Sequence, residues 1–147
     1  MSFYKEVILV LLLTNLFVSF GVAAEPATFS LEVILTGVHS DKGNIRSLLC
    51  TSEENFPHSC LIESVSKSQN GMVKIQFENI KAGTYAFVAY HDEDDNLKLN
   101  MNKNRRPTEG LAFSKNAIGR MGPPHFTQSA FEIKENTRQS VKFRYLK

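Results

Sequence analysis

Tryptophan is absent from this chain of 147 residues and cysteine occurs only twice, so 11 Phe and 4 Tyr must supply the bulk of any core. Two cysteines are too few for a disulfide-stapled scaffold or a four-thiolate zinc site. The four histidines, His39, His58, His91 and His125, are scattered without zinc-ligand spacing. Net charge is only +2, and no run of one sign is longer than Asp92-Glu93-Asp94-Asp95. The chain therefore lacks the basic footprint of a nucleic-acid binder. No sustained helical period, internal repeat or Pro/Ser-rich linker occurs after residue 24. With 22% charged and 42% hydrophobic residues, the composition is that of a folded chain rather than a disordered one.

Hydrophobicity is concentrated at the start. Val7 to Phe20 is apolar except for Thr14, Asn15 and Ser19; it follows Lys5 and leads to Val22-Ala23-Ala24. This is the pattern of a signal peptide cleaved after Ala24. The run falls short of the ~20 residues that a membrane span needs. Residues 1–24 are expected to be a signal peptide and residues 25–147 one domain, periplasmic or secreted, with no transmembrane span after cleavage. Export to an oxidising compartment lets Cys50 and Cys60 form one disulfide. A metal site is the alternative for this pair, but apart from His58 between them no further ligands stand at suitable spacing.

Alternation of period two marks the strands. Phe29, Leu31, Val33 and Leu35 share one face, as do Val73, Ile75 and Phe77, and Val141, Phe143 and Tyr145. Ile45–Cys50, after the Gly43 turn, is expected to pair with the first strand as a hairpin. Leu61–Val65 and Ala130–Ile133 are weaker strands, and Asn70-Gly71 has the composition of a tight turn. Thr84–Tyr90 is apolar on both faces, as a central covered strand is. About seven such strands predict an all-β fold, a single antiparallel β-sandwich of transthyretin or immunoglobulin type, with a small β-barrel as the alternative.

The long aperiodic segment from His91 to Glu109 is the candidate site, because loops of this length in compact domains are commonly functional. Asp92, Asp94, Asn96 and Asn100 place hard oxygens at nearly alternate positions, as a Ca²⁺ loop requires, and the Lys98 carbonyl could add another. Leu97 stands where an EF-hand has glycine and Lys103 where it has a bidentate acid, so the loop is not an EF-hand. The competing reading is a loop of Asx turns whose acids are met by Arg105 and Arg106. A Ser114–His91–Asp92 triad lacks the G-x-S-x-G elbow. An acid–base enzyme using His91 and Asp92, with Glu109, is the alternative to a non-catalytic binding or structural module. His91, Arg105, Glu109, Phe113, Ser114, Asn116 and Phe126 are the candidate binding surface. Phe113, Pro123, Pro124 and Phe126 would either form an aromatic patch or close one end of the sandwich.

Several motifs occur together: Gly83-Thr84-Tyr85-Ala86; His91-Asp92 with its Asp/Asn loop; Pro107-Thr108-Glu109-Gly110; Ala112-Phe113-Ser114-Lys115-Asn116-Ala117; Pro123-Pro124-His125-Phe126; and Ala130-Phe131. In this order, with the Lys42-Gly43 turn and Cys50…Phe56-Pro57…Cys60, the chain from about Leu31 to Tyr145 resembles the bacterial family catalogued as domain of unknown function 2141. The resemblance implies an exported, chiefly periplasmic β-sandwich with no established activity. It names no partner; a protein or envelope component is the expectation. The family's loop reads His-Asp-x-Asn-x-Asn-Gly-x-Leu-Asp, so its polar positions fall on His91, Asp92, Asp94, Asn96 and Asn100. Leu97 replaces the glycine and Asn100 the final aspartate, and both changes weaken Ca²⁺ as a cofactor.

Overall fold

The computed structural model describes residues 25–146; the expected signal peptide, residues 1–24, lies outside the described residues. Eight strands run in chain order: β1 (Thr28–Val38), β2 (Asn44–Cys50), β3 (Ile62–Lys67), β4 (Gly71–Lys81), β5 (Gly83–Asp92), β6 (Leu111–Phe113), β7 (Phe131–Ile133) and β8 (Thr137–Lys142). One sheet has the order β4-β1-β8 and the other β3-β2-β5-β6, with β7 also paired to β5. The alternating residues of both sheets meet in one core. Leu31, Val33 and Leu35 of β1, Ile45 and Leu49 of β2, Ile75 of β4 and Phe87 of β5 have no exposed surface. The fold is thus an all-β sandwich, not a closed barrel.

The expected β1–β2 hairpin does not form. β1 pairs antiparallel with β4 and parallel with β8, whereas β2 pairs with β3 and β5. Alternation shows that a strand has one buried face but not which strand lies beside it. Here the two buried faces are stacked, and the turn after β1 carries the chain between sheets. Gly43 makes that passage, with φ +64° and a position where a Cβ would overlap the Asp92 carbonyl. Asn70-Gly71 likewise joins strands of different sheets rather than closing a hairpin, and Asp41 Oδ1 accepts the Asn70 N–H at 2.7 Å. The last strand begins at Thr137, earlier than its apolar alternation suggests. Beyond it, Phe143 is still buried, and Arg144 exchanges backbone hydrogen bonds with Leu111.

Cys50 and Cys60 are disulfide-bonded, with Cα atoms 4.6 Å apart. The loop they close folds Phe56 onto Phe113 and Phe126, at centroid distances of 5.9 and 6.0 Å. These rings, with Cys50, Ala86 and Val88, form a second small apolar cluster on the outer face of the β3-β2-β5-β6 sheet. Phe113 and Phe126 therefore close over one end of that face.

A braced acidic loop beside an open groove

Strand β5 runs two residues further than its apolar pattern, which places His91 and Asp92 at its end rather than in the loop. Neighbouring residues of a strand face opposite ways, so the two side chains diverge. His91 turns into the sandwich, fully buried. Its Nε2 lies 2.8 Å from the Lys42 carbonyl and 2.8 Å from Ser68 Oγ, and its Nδ1 lies 2.7 Å from the Tyr145 hydroxyl. A carbonyl can only accept, so Nε2 carries hydrogen. Ser68 in turn donates to the Ser40 carbonyl at 2.6 Å, and the Tyr145 hydroxyl accepts from the His39 N–H at 3.1 Å. Both ring nitrogens are thus committed to holding two inter-strand connections together.

Asp92 turns to the outer face, where its side chain is also fully buried. Its Oδ2 accepts from Arg46 Nε at 2.9 Å and from the Leu97 N–H at 3.0 Å, and its Oδ1 accepts from the Asn96 N–H at 3.0 Å. Burial alone would push this carboxyl up. Arg46 and the two N–H groups outweigh burial and hold it below the usual range. At the far end of the loop Glu109, also buried, accepts from the Glu93 N–H at 3.0 Å and the Asn100 N–H at 2.9 Å. Burial pushes its carboxyl up, assisted by Asp94 and Asp92. Two buried carboxylates therefore pin both ends of the loop by its backbone.

Asp94, exposed between them, caps the loop from outside. Its Oδ2 accepts from Asn96 Nδ2 at 3.0 Å and from Asn100 Nδ2 at 2.9 Å. Asn96 Oδ1 accepts the Lys98 N–H at 2.9 Å, and Asn100 Oδ1 accepts from Asn96 Nδ2 at 2.7 Å. In this arrangement the two asparagines turn their amide nitrogens, not their oxygens, toward Asp94. The set that converges is Asp92, Asp94 and Glu109, each offering one oxygen within 4.8 Å of the others. Of the four expected Ca²⁺ ligands, Asp92 and Asp94 belong to this acidic set, with Glu109 as its third member, and Asn96 and Asn100 lie beside it, hydrogen-bonded to Asp94.

The counter-ion also differs from expectation. Arg105 and Arg106 make no ion pair among the described residues; Asn102 Oδ1 caps the turn that holds them, accepting from the Asn104 and Arg106 N–H groups. Arg46 fills the role instead, and its only sequence signal is a lone charge within the apolar run of β2. Ser114 is fully buried, its Oγ accepting the Phe87 N–H at 2.9 Å and donating to the Ser129 carbonyl at 2.6 Å. His91, Glu109, Ser114 and Phe126, expected on a surface, are all buried. Asn116 is exposed, and its Oδ1 accepts the Lys142 N–H at 2.8 Å.

An open groove lies beside the loop, about 1650 Å³ in volume, across the outer face of β2, β5 and β6. Strand register builds its floor in cross-strand rows, Arg46–Tyr90–Leu111 and Leu48–Val88–Phe113. Residues from segments 97–107 and 117–124 line it as well.

Two stacked, mainly antiparallel sheets with a disulfide-pinned loop and a braced polar loop define a small all-β sandwich module. The chain belongs to the bacterial family domain of unknown function 2141, described as an uncharacterized protein conserved in bacteria, whose model matches residues 33–142. No curated protein and no solved structure matches it. Among the described residues no helix is long and apolar enough to cross a membrane.

Proposed function

We propose that this chain is an exported, non-catalytic binding module that presents the groove on its outer sheet face to a partner in the cell envelope. One observation carries the reading: Leu97, Met101, Ile118, Met121 and Leu146, all exposed large apolar side chains, all border this one groove. Contiguous exposed apolar surface marks interaction sites. The apolar leader and the disulfide support export. In this reading the braced loop is scaffolding that fixes one wall. The alternative enzyme would need His91 and Asp92 to converge on a substrate, and they occupy opposite faces of β5. A photo-crosslinking residue at Met121, with one at Met72 on the other sheet as control, tests the proposal in cells. An adduct at Met121 and none at Met72 is expected; equal labelling, or no labelling at either position, would refute it.

A second reading, Ca²⁺ at Asp92, Asp94 and Glu109, is favoured by the convergence of three carboxylate oxygens. Oxygen ligands suit that ion, but here the Asp94 carboxylate is already taken by amide donors that a cation would displace. Calorimetric unfolding with millimolar Ca²⁺ and with EDTA tests it. A ligand at 100 times its Kd adds about 2.7 kcal/mol. A raised midpoint that disappears in Asp94→Ala would establish the site, and an unchanged midpoint would dismiss it.

A further inference from the structure

Leu97 combines two features that each cost free energy. Its backbone has φ +67°, the left-handed region that favours glycine and disfavours branched side chains. Its side chain is 63% exposed, so little packing offsets the strain. Strained residues that persist without local return point to a function outside the fold. Leu97 borders the groove, which the fully exposed Met121 also lines.

Charge narrows the occupant. Six basic side chains line the groove and only one acidic, Glu63. Glu63 is already paired with Arg46 at 3.4 Å. The other five, Lys98, Arg105, Arg106, Arg120 and Arg144, form no ion pair among the described residues. A cationic rim around an apolar floor is complementary to a ligand that alternates apolar groups with carboxylates. Size and shape narrow it further. The volume exceeds the roughly 300–1000 Å³ of small-molecule sites, and a concave groove suits a chain laid along its floor better than a flat bilayer.

We infer that the groove binds an acidic, apolar-rich polypeptide segment, with Leu97 as an anchor and the arginines that line the groove pairing with its carboxylates. This rests on the binding-module reading and specifies the partner's chemistry. The test is a fluorescence-anisotropy titration of the oxidised protein with a labelled peptide alternating phenylalanine and aspartate. Its counterpart with lysine for aspartate, and phosphatidylglycerol vesicles, serve as competing probes. The acidic peptide should bind, lose affinity with added salt, and weaken about tenfold or more in Leu97→Gly and in the double variant Arg105→Glu, Arg106→Glu. Leu97→Gly should unfold at a midpoint no lower than the parent, which separates lost binding from lost folding. Equal binding of the lysine peptide, binding of vesicles alone, or affinity unchanged in both variants would overturn the inference. If the acidic peptide fails while Met121 still cross-links in cells, the partner's chemistry is wrong and the module reading stands. If both fail, both are wrong.

Discussion

Replacing Asp92 with alanine tests whether one buried carboxylate holds the start of the polar loop. Its side chain has no exposure and accepts from Arg46 Nε, the Leu97 N–H and the Asn96 N–H. Breaking a buried ion pair from one side costs about 3–5 kcal/mol. Here Arg46 keeps 15% exposure and a second carboxylate, Glu63, which lowers that figure. The Asn96 N–H retains Asp94 Oδ1 at 3.3 Å, whereas the Leu97 N–H loses its acceptor, which costs about 1–3 kcal/mol if it stays buried. Together these place the loss at about 3 kcal/mol, or roughly 10–15 °C in midpoint for a domain of this size. Urea unfolding followed by circular dichroism measures it, with Arg46→Met and the double variant completing a thermodynamic cycle. A coupling of about 1 kcal/mol or more is expected between the two positions. The pH dependence supplies an independent check. The folded carboxyl lies below its ordinary value, near 3.8, so its contribution is present above that value and is lost as pH falls through the folded one. The gap between parent and variant should thus be constant near neutrality and narrow in acid. A loss below about 1 kcal/mol, or a gap that does not narrow in acid, would refute the brace.

Glu109 should behave in the opposite sense. Burial and two acidic neighbours raise its carboxyl above 4.5, so the stabilisation is full in acid and is lost as pH rises through the folded value. Glu109→Gln should therefore gain stability relative to the parent as pH rises above about 4.5; parallel curves by chemical denaturation would contradict this. The disulfide closes a loop with a sequence separation of 10, and the double variant Cys50→Ala, Cys60→Ala should lose about 2.5–3 kcal/mol by the chain-entropy argument, read in urea. Ser114→Ala removes an acceptor from the Phe87 N–H and a donor from the Ser129 carbonyl, and thermal unfolding should show a cost of about 1–3 kcal/mol.

Much of the fold was legible because alternation is a local signal. Leu31, Val33 and Leu35, or Val73, Ile75 and Phe77, announce an inward face whatever strand lies beside them. Pairing was not legible, because an inward face is equally consistent with a neighbour in the same sheet and a partner in the facing one. The acidic segment misled for a related reason. Asp92 reads as part of a solvated loop that starts at His91, yet it closes a strand and is buried, because its cation stands at Arg46 on a neighbouring strand that no local window includes. Once β5 is extended to Asp92, period two alone separates His91 from Asp92 and removes the geometry of an acid–base pair.

The same limit applies to the groove, and there it bears on function. Ala86, Val88 and Tyr90 make the second face of β5 apolar, which predicts a strand covered on both sides. The structure covers only part of that face. Phe56, Phe113 and Phe126 close over Ala86 and Val88, while the row through Tyr90 and the outer edge of the Leu48 row remain the floor of an open groove. An apolar outer face states that something must shield it from water but does not say whether the cover belongs to the same chain. The disulfide loop is the part of the cover the chain supplies for itself. In the binding-module reading, the strained Leu97, the exposed Met121 and five arginines and lysines without an acidic partner among the described residues mark where a second molecule supplies the rest.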